Sequence, residues 1–317
     1  FRYLSKVTGD ATYADKVEHA FDVLQSLKPE NGLYGSDVYN TESEARPRTS
    51  SMTIGFGAGV DSFYEYMLKL WIQGGKVESK YRQMYDEAIE GLHKVLLQKS
   101  SPSGLTYISM MHPNHGSKLE HSMEHLACFT GGLLALGAYN DPLGLNSERA
   151  QRDLKTAKAL TYTCYQMYAS TSTGLGPEAA RSLDKDEVFY KHGADANGVD
   201  AGRRTIHDNY ILRPEVVESF YVLNKLTGDP IYREWGWEIF QSIEKYCKTD
   251  IAYGAFPNVR NVKLQPMNEM ESFFLAETLK YLYLLMDPDS QVDLTKHVFN
   301  TEAHPLRMLQ FVDKAKT

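Results

Sequence analysis

Tyr3-Leu4-Ser5-Lys6-Val7-Thr8-Gly9-Asp10-Ala11-Thr12-Tyr13, near the start of the chain, and Tyr221-Val222-Leu223-Asn224-Lys225-Leu226-Thr227-Gly228-Asp229-Pro230-Ile231-Tyr232, far along it, share one pattern. Each reads as helix, Thr-Gly-Asp turn, helix. Gly9 and Gly228 fit the position after a helix where a positive φ is needed. Asp10 and Asp229 can then cap the helix that follows. Helical hairpins that recur along a chain bury their apolar faces by stacking on neighbours. An open solenoid and a closed ring of hairpins both satisfy that requirement.

Working outward, apolar residues fall at helical spacing over Asp61 to Trp71, Tyr81 to Leu97, Arg149 to Ala169, Arg213 to Leu226, Tyr232 to Cys247 and Met270 to Leu285. Strand-like alternation is scarce, and stretches containing Gly and Pro separate the helices. The fold class is therefore all-α. No low-complexity linker divides the chain, so residues 1–317 read as parts of one domain. The first residues, Phe1-Arg2-Tyr3-Leu4-Ser5-Lys6-Val7, already have the character of a helix interior, and we expect the chain to start inside a domain.

With 42% hydrophobic and 24% charged residues, the chain is globular rather than disordered. Its net charge of -7 and the absence of a basic cluster argue against nucleic acid as a partner. No apolar run is long enough to span a bilayer. The three cysteines, Cys128, Cys164 and Cys247, show no CxxC spacing. One disulfide with one free thiol, or three buried thiols, both fit the composition, which leans slightly to the latter.

Acidic residues interrupt the apolar helices. Asp61 and Glu65 are four residues apart and share a helix face, where like charges cost stability unless something positive is shared. An N-terminal Asp on a solvated face would explain the pair. The flanking Phe63, Tyr64, Tyr66 and Met67 weigh against full solvation. In Arg213-Pro214-Glu215-Val216-Val217-Glu218, Pro214 suits a first helical turn and Glu215 and Glu218 again share a face. First-turn acids are common, but the apolar run that follows suggests a buried helix, where unpaired acids are expensive. Arg213 can hold a carboxylate ionised or bind a hydroxyl. Glu271 and Glu277 repeat the theme in an aromatic helix.

Several helices aiming carboxylates into one cavity would suit glycoside hydrolysis or a cation site. His125, beside an apolar run and a Gly131-Gly132 turn, reads first as a core histidine. No HExxH, GxSxG, P-loop or dinucleotide motif is present, and Gly55-Phe56-Gly57-Ala58-Gly59 lacks a preceding strand. Near the end, Val298-Phe299-Asn300-Thr301-Glu302-Ala303-His304-Pro305 follows an apolar helical pattern. It reads either as a capped terminal turn or as a ligand segment, because Thr301 can offer a hard cation both its hydroxyl and its carbonyl.

Six motifs occur in one order: Asp61-Ser62-Phe63-Tyr64-Glu65-Tyr66, His125-Leu126-Ala127-Cys128-Phe129, Gly174-Leu175-Gly176-Pro177-Glu178, Leu212-Arg213-Pro214-Glu215, Met270-Glu271-Ser272-Phe273-Phe274 and Phe299-Asn300-Thr301-Glu302-Ala303-His304-Pro305-Leu306. Together, over essentially the whole chain, they resemble the class I α-1,2-mannosidases of glycoside hydrolase family 47. The resemblance implies an (α/α)7 barrel of helical hairpins with a calcium ion at its floor. It implies removal of α-1,2-linked mannose from high-mannose N-glycans with inversion, in the lumen of the endoplasmic reticulum or Golgi or after secretion.

By the same resemblance, Thr301 is the calcium ligand, and Glu218, Glu277 and Glu302, with Glu271 nearby, hold the waters that complete its shell. Glu215 is the general base and Asp61 the second catalytic carboxylate. Phe273 packs on the terminal mannose, Arg213 contacts sugar, and Glu65 and His125 join the substrate site. Cys128 and Cys164 form the family's disulfide, leaving Cys247 free, which displaces the compositional preference.

Three departures from the family pattern carry expectations of their own. The family has a further essential glutamate, named as its general acid, upstream of the Asp61 motif, and this chain begins after it. We therefore expect residues 1–317 to be the C-terminal portion of the barrel, with its N-terminal helices missing and supplied by another segment or second chain. Position 59 is Gly, where enzymes that remove a single mannose carry arginine; glycine resembles the fungal, broader-specificity type. Glu124 stands where Asp or Gly is usual. A non-catalytic, lectin-like glycan binder is the alternative within the same resemblance. No Asn-X-Ser/Thr sequon occurs.

Overall fold

A computed structural model describes residues 1–40, 45–47, 52–113, 117–185, 207–287, 289 and 292–309. Among these, the helices are α1 (Arg2–Thr8), α2 (Thr12–Ser26), α3 (Asp61–Gln73), α4 (Ser79–Gly91), α5 (Phe129–Tyr139), α6 (Glu148–Ala169), α7 (Glu215–Thr227), α8 (Ile231–Tyr246) and α9 (Leu279–Met286). α5 packs against α6 and α7, α7 against α8 and α9, and α3 against α4.

The repeat that suggested hairpins is the same structure twice. The Gly9 and Gly228 N–H groups donate back to Ser5 and Asn224 carbonyls, with φ of 75° and 72°. The Thr8 and Thr227 hydroxyls donate to the Leu4 and Leu223 carbonyls and accept from the N–H of Asp10 and Asp229. Asp10 and Asp229 accept the first N–H of the next helix, at Thr12 and Ile231.

Four expectations need correction. The helix expected over Tyr81 to Leu97 ends its α part at Gly91, continues as one π turn (Leu92–Leu96), and gives way to a strand at Leu97. The helix expected from Arg213 starts at Glu215. The segment from Met270 is not yet helical, because the Ala255 N–H pairs with the Glu269 carbonyl and holds the approach extended. A π segment (Phe274–Thr278) then leads into α9. Gly131-Gly132 is no turn but lies inside α5. A Cβ at Gly131 would meet the Thr161 hydroxyl at 2.1 Å, and one at Gly132 the Ser219 Cα at 3.2 Å, so both glycines let α5 close on its neighbours.

Strands are also more numerous than alternation suggested. Five two-stranded antiparallel pairs occur among the described residues, each strand of three residues and too short to show a period. Two matter for the site. Ser122–Glu124 pairs with Ala179–Arg181 and presents His125. His297–Phe299 pairs with Pro305–Arg307, so the Thr301 segment is the tip of a β-hairpin rather than a helix end.

The core is continuous. On α7, Val216, Val217, Phe220, Tyr221 and Leu223 are almost wholly buried, each worth roughly 1.5–3 kcal/mol of transfer free energy. Cys128 and Cys164 form a disulfide that ties the entry of α5 to α6, and Cys247 is free and buried.

Candidate active site

The interrupting acids do converge. Asp61, Glu65, Arg213, Glu215, Glu218, Phe273, Glu277, Thr301 and Glu302 line one cavity of about 260 Å³. α3 supplies Asp61 and Glu65, α7 supplies Glu215 and Glu218, the π segment supplies Glu277, and the hairpin tip supplies Thr301 and Glu302. Glu271, expected nearby, is exposed and does not line the cavity. At the tip, Asn300 Oδ1 accepts the N–H groups of Glu302 and His304. The Tyr66 hydroxyl lies 3.4 Å from Thr301 Oγ1, and the Ala303 carbonyl accepts from Lys280 Nζ at 3.0 Å.

Glu215 has the firmest environment. Burial alone would raise its carboxyl, but the hydrogen bond from His125 and the charge of the Arg213 guanidinium outweigh burial and hold it below the usual range. His125 Nδ1 is 2.7 Å from Glu215 Oε2, and Arg213 Nη1 is 3.7 Å from Oε1. Arg213 also donates through Nε to Glu178 at 2.6 Å and stacks 5.8 Å from the Phe273 ring centroid. His125 therefore does not line the cavity; it stands wholly buried behind Glu215.

Asp61 moves the other way. Burial, then the charges of Glu215, Glu65 and Glu124, raise its carboxyl, partly offset by the Ser62 N–H. Glu218 is pushed up to about 8 by burial and by Glu65, despite Lys69. Glu277 is pushed up to about 7 by burial and by Glu302 and Glu215.

In the sequence, Lys69 carries no signal beyond its place four residues after Glu65. It is buried, ion-pairs with Glu65, and lies 3.8 Å from Glu218. Burial would lower its ammonium, but those two carboxylates outweigh it and raise it. Tyr281, which donates to Glu218 at 3.3 Å, and Glu178 were likewise not assigned to the site. Their roles emerge only from their positions in space. Glu124 has a definite role: its Oε2 accepts the Ala58 N–H at 2.7 Å, in a space that a Cβ at Gly57 would fill.

Among the described residues, no three His, Cys, Asp or Glu side chains converge to hold a metal by themselves. The donor set nevertheless suits a hard cation. The cavity that holds Thr301 is rich in carboxylate oxygens, and burial together with the neighbouring carboxylates raises Glu218 and Glu277. A divalent ion bridged by water would relieve that surplus.

Residues 1–308 match the family described as glycosyl hydrolase family 47. The chain is 40% identical over 309 residues to mannosyl-oligosaccharide alpha-1,2-mannosidase IA of Drosophila melanogaster, covering 96% of this chain and 42% of that protein. It is 39% identical over 338 residues to the mannosyl-oligosaccharide 1,2-alpha-mannosidase of Candida albicans, covering all of this chain and 57% of the relative. Its structure is similar to that of the alpha-1,2-mannosidase from Trichoderma reesei, with a TM-score of 0.82 and 29% identity over 97% of this chain and 64% of that one. The chain thus spans about half the length of the curated relatives it matches.

Proposed function

The chain belongs to glycosyl hydrolase family 47, and from that premise we propose that it forms the active site of a calcium-dependent, inverting exo-α-1,2-mannosidase that trims high-mannose N-glycans. The observation that carries this reading is the convergence of four acidic elements on one cavity, with the Glu215 carboxyl held below its usual range by His125 and Arg213. We read the helical hairpins as part of an (α/α)7 barrel around that cavity.

In this reading Glu215 takes a proton from the attacking water, its own charge kept available by His125 and Arg213. Asp61, whose carboxyl is raised, is the second catalytic carboxylate. Phe273 offers a ring face to the terminal mannose, and Arg213, braced by Glu178, holds sugar oxygens. Calcium, when bound, would orient sugar hydroxyls. Thr301 would hold it through hydroxyl and carbonyl, and Glu218, Glu277 and Glu302 would hold its waters. Gly59, whose φ of 86° suits glycine, stands where single-mannose enzymes of the family carry arginine, and in this reading several mannoses are removed in turn. The disulfide favours an oxidising compartment, in keeping with the secretory pathway.

The test is product analysis on a high-mannose N-glycan with the whole protein, with and without a calcium chelator. Mannose release that the chelator stops supports the reading. Glycan binding without release would favour the non-catalytic, lectin-like alternative. Separately, Thr301→Ala should weaken calcium binding by at least the roughly 10–100-fold that losing an outer-shell partner costs. Calorimetric titration of chelated protein measures this, and unchanged affinity would return the hairpin tip to a purely structural role.

A further inference from the structure

Behind Glu215 lies a second hydrogen bond that the reaction as described does not use. His125 Nε2, on the far side of the ring from Glu215, is 2.6 Å from the Tyr168 hydroxyl. Tyr168 sits on α6, is buried, and meets the imidazole edge-on with ring centroids 5.6 Å apart. Gly176 makes room for it, since a Cβ there would lie 2.4 Å from the Tyr168 ring. His125 is fixed from its backbone as well, its N–H donating to the Glu178 carbonyl at 2.8 Å.

We propose that Tyr168 is a positioning residue for Glu215: its hydroxyl donates to His125 Nε2 and so fixes the tautomer whose Nδ1–H donates to the Glu215 carboxylate. A neutral imidazole has one donor and one acceptor nitrogen, and the partner of one decides the other. Burial raises the Tyr168 hydroxyl well above its ordinary range, so it keeps its proton and serves as donor. The charged and titratable groups around this relay are Glu215, Arg213, Glu178, Tyr210 and Cys247. Arg213 is held to Glu178 and Glu215, and burial pushes the Cys247 thiol up to about 12, which keeps it neutral. Without the Tyr168 donor, His125 is free to place its proton on Nε2 and turn a bare Nδ1 toward Glu215. The carboxylate then loses a donor, and its pKa rises.

This inference rests on the reading of Glu215 as general base, and two readouts on Tyr168→Phe in the whole protein separate them. In kinetics, kcat should fall by roughly 10-fold or more with KM little changed, the scale of an outer-shell loss at a ligand histidine. The acidic limb of the kcat/KM profile should move to higher pH, which mere loosening of the fold would not cause. In ¹⁵N NMR without substrate, the wild-type His125 ring should carry its proton on Nδ1, and the variant should shift protonation toward Nε2. Wild-type tautomer and wild-type pH profile in the variant would overturn the role of Tyr168. A wild-type protein that releases no mannose would count against the general base instead, and the NMR result would still decide the tautomer. Gly176→Ala, which presses on the ring without removing the hydroxyl, should disturb the same resonances.

Discussion

Glu215→Gln should lower kcat by roughly 10²–10⁴-fold, the contribution of a positioned general base, while leaving glycan affinity nearly intact. Gln keeps the volume and can still meet His125 and Arg213, but it cannot take a proton from water. The wild-type carboxylate is prepared for that step, because two cationic or donating partners hold it ionised against the penalty of burial. Single-turnover kinetics on a high-mannose glycan, together with calorimetric binding, would show the split. Undiminished turnover would remove Glu215 from the chemistry.

Lys69→Met should be the most damaging change to stability. It leaves Glu65 and Glu218 buried together without their cation, and breaking such a group by removing one partner costs about 3–5 kcal/mol. The sign of its pH dependence follows from the raised carboxyl of Glu218, which moves from 4.5 to about 8. Between those values the folded chain holds a proton that the unfolded chain has released, so stability falls as pH rises through that window. Losing Lys69 raises the carboxyl pKa values further and steepens the fall. Denaturant unfolding in chelator should therefore show a small deficit near pH 5 that widens toward pH 8. A deficit constant with pH would mean that Lys69 acts by packing alone.

The helical hairpins were legible because a cap is local chemistry. Thr-Gly-Asp sets positive φ, a back-bonded hydroxyl and a first-turn acceptor within three residues, and both copies form as read. The three-residue strands were not legible, since no period can appear over such a length, and the Thr301 segment reads in sequence as a capped terminal turn or a ligand segment without showing that it is a hairpin tip. At the site, acids inside apolar helices marked α3, α7 and the π segment, because burying a charge needs a reason. Lys69 escaped notice because an i,i+4 Glu–Lys pair is also what an exposed helix face carries. Tyr168 has no signal because its partner His125 is distant in sequence, and Glu178, though part of the Gly174-Leu175-Gly176-Pro177-Glu178 motif, gains its role only from Arg213 across space. The disulfide partners could not be chosen by cysteine count, and only the family resemblance singled out Cys128 and Cys164.

The most direct test of the central claim is ¹H NMR of the whole protein acting on a high-mannose N-glycan, following the anomeric signal of the first sugar released. Inverting hydrolysis of an α-1,2 linkage predicts free β-mannose first, with the α-anomer growing in later by mutarotation. Release of α-mannose first would contradict the inverting mechanism, and no release at all would contradict the assignment of hydrolytic activity.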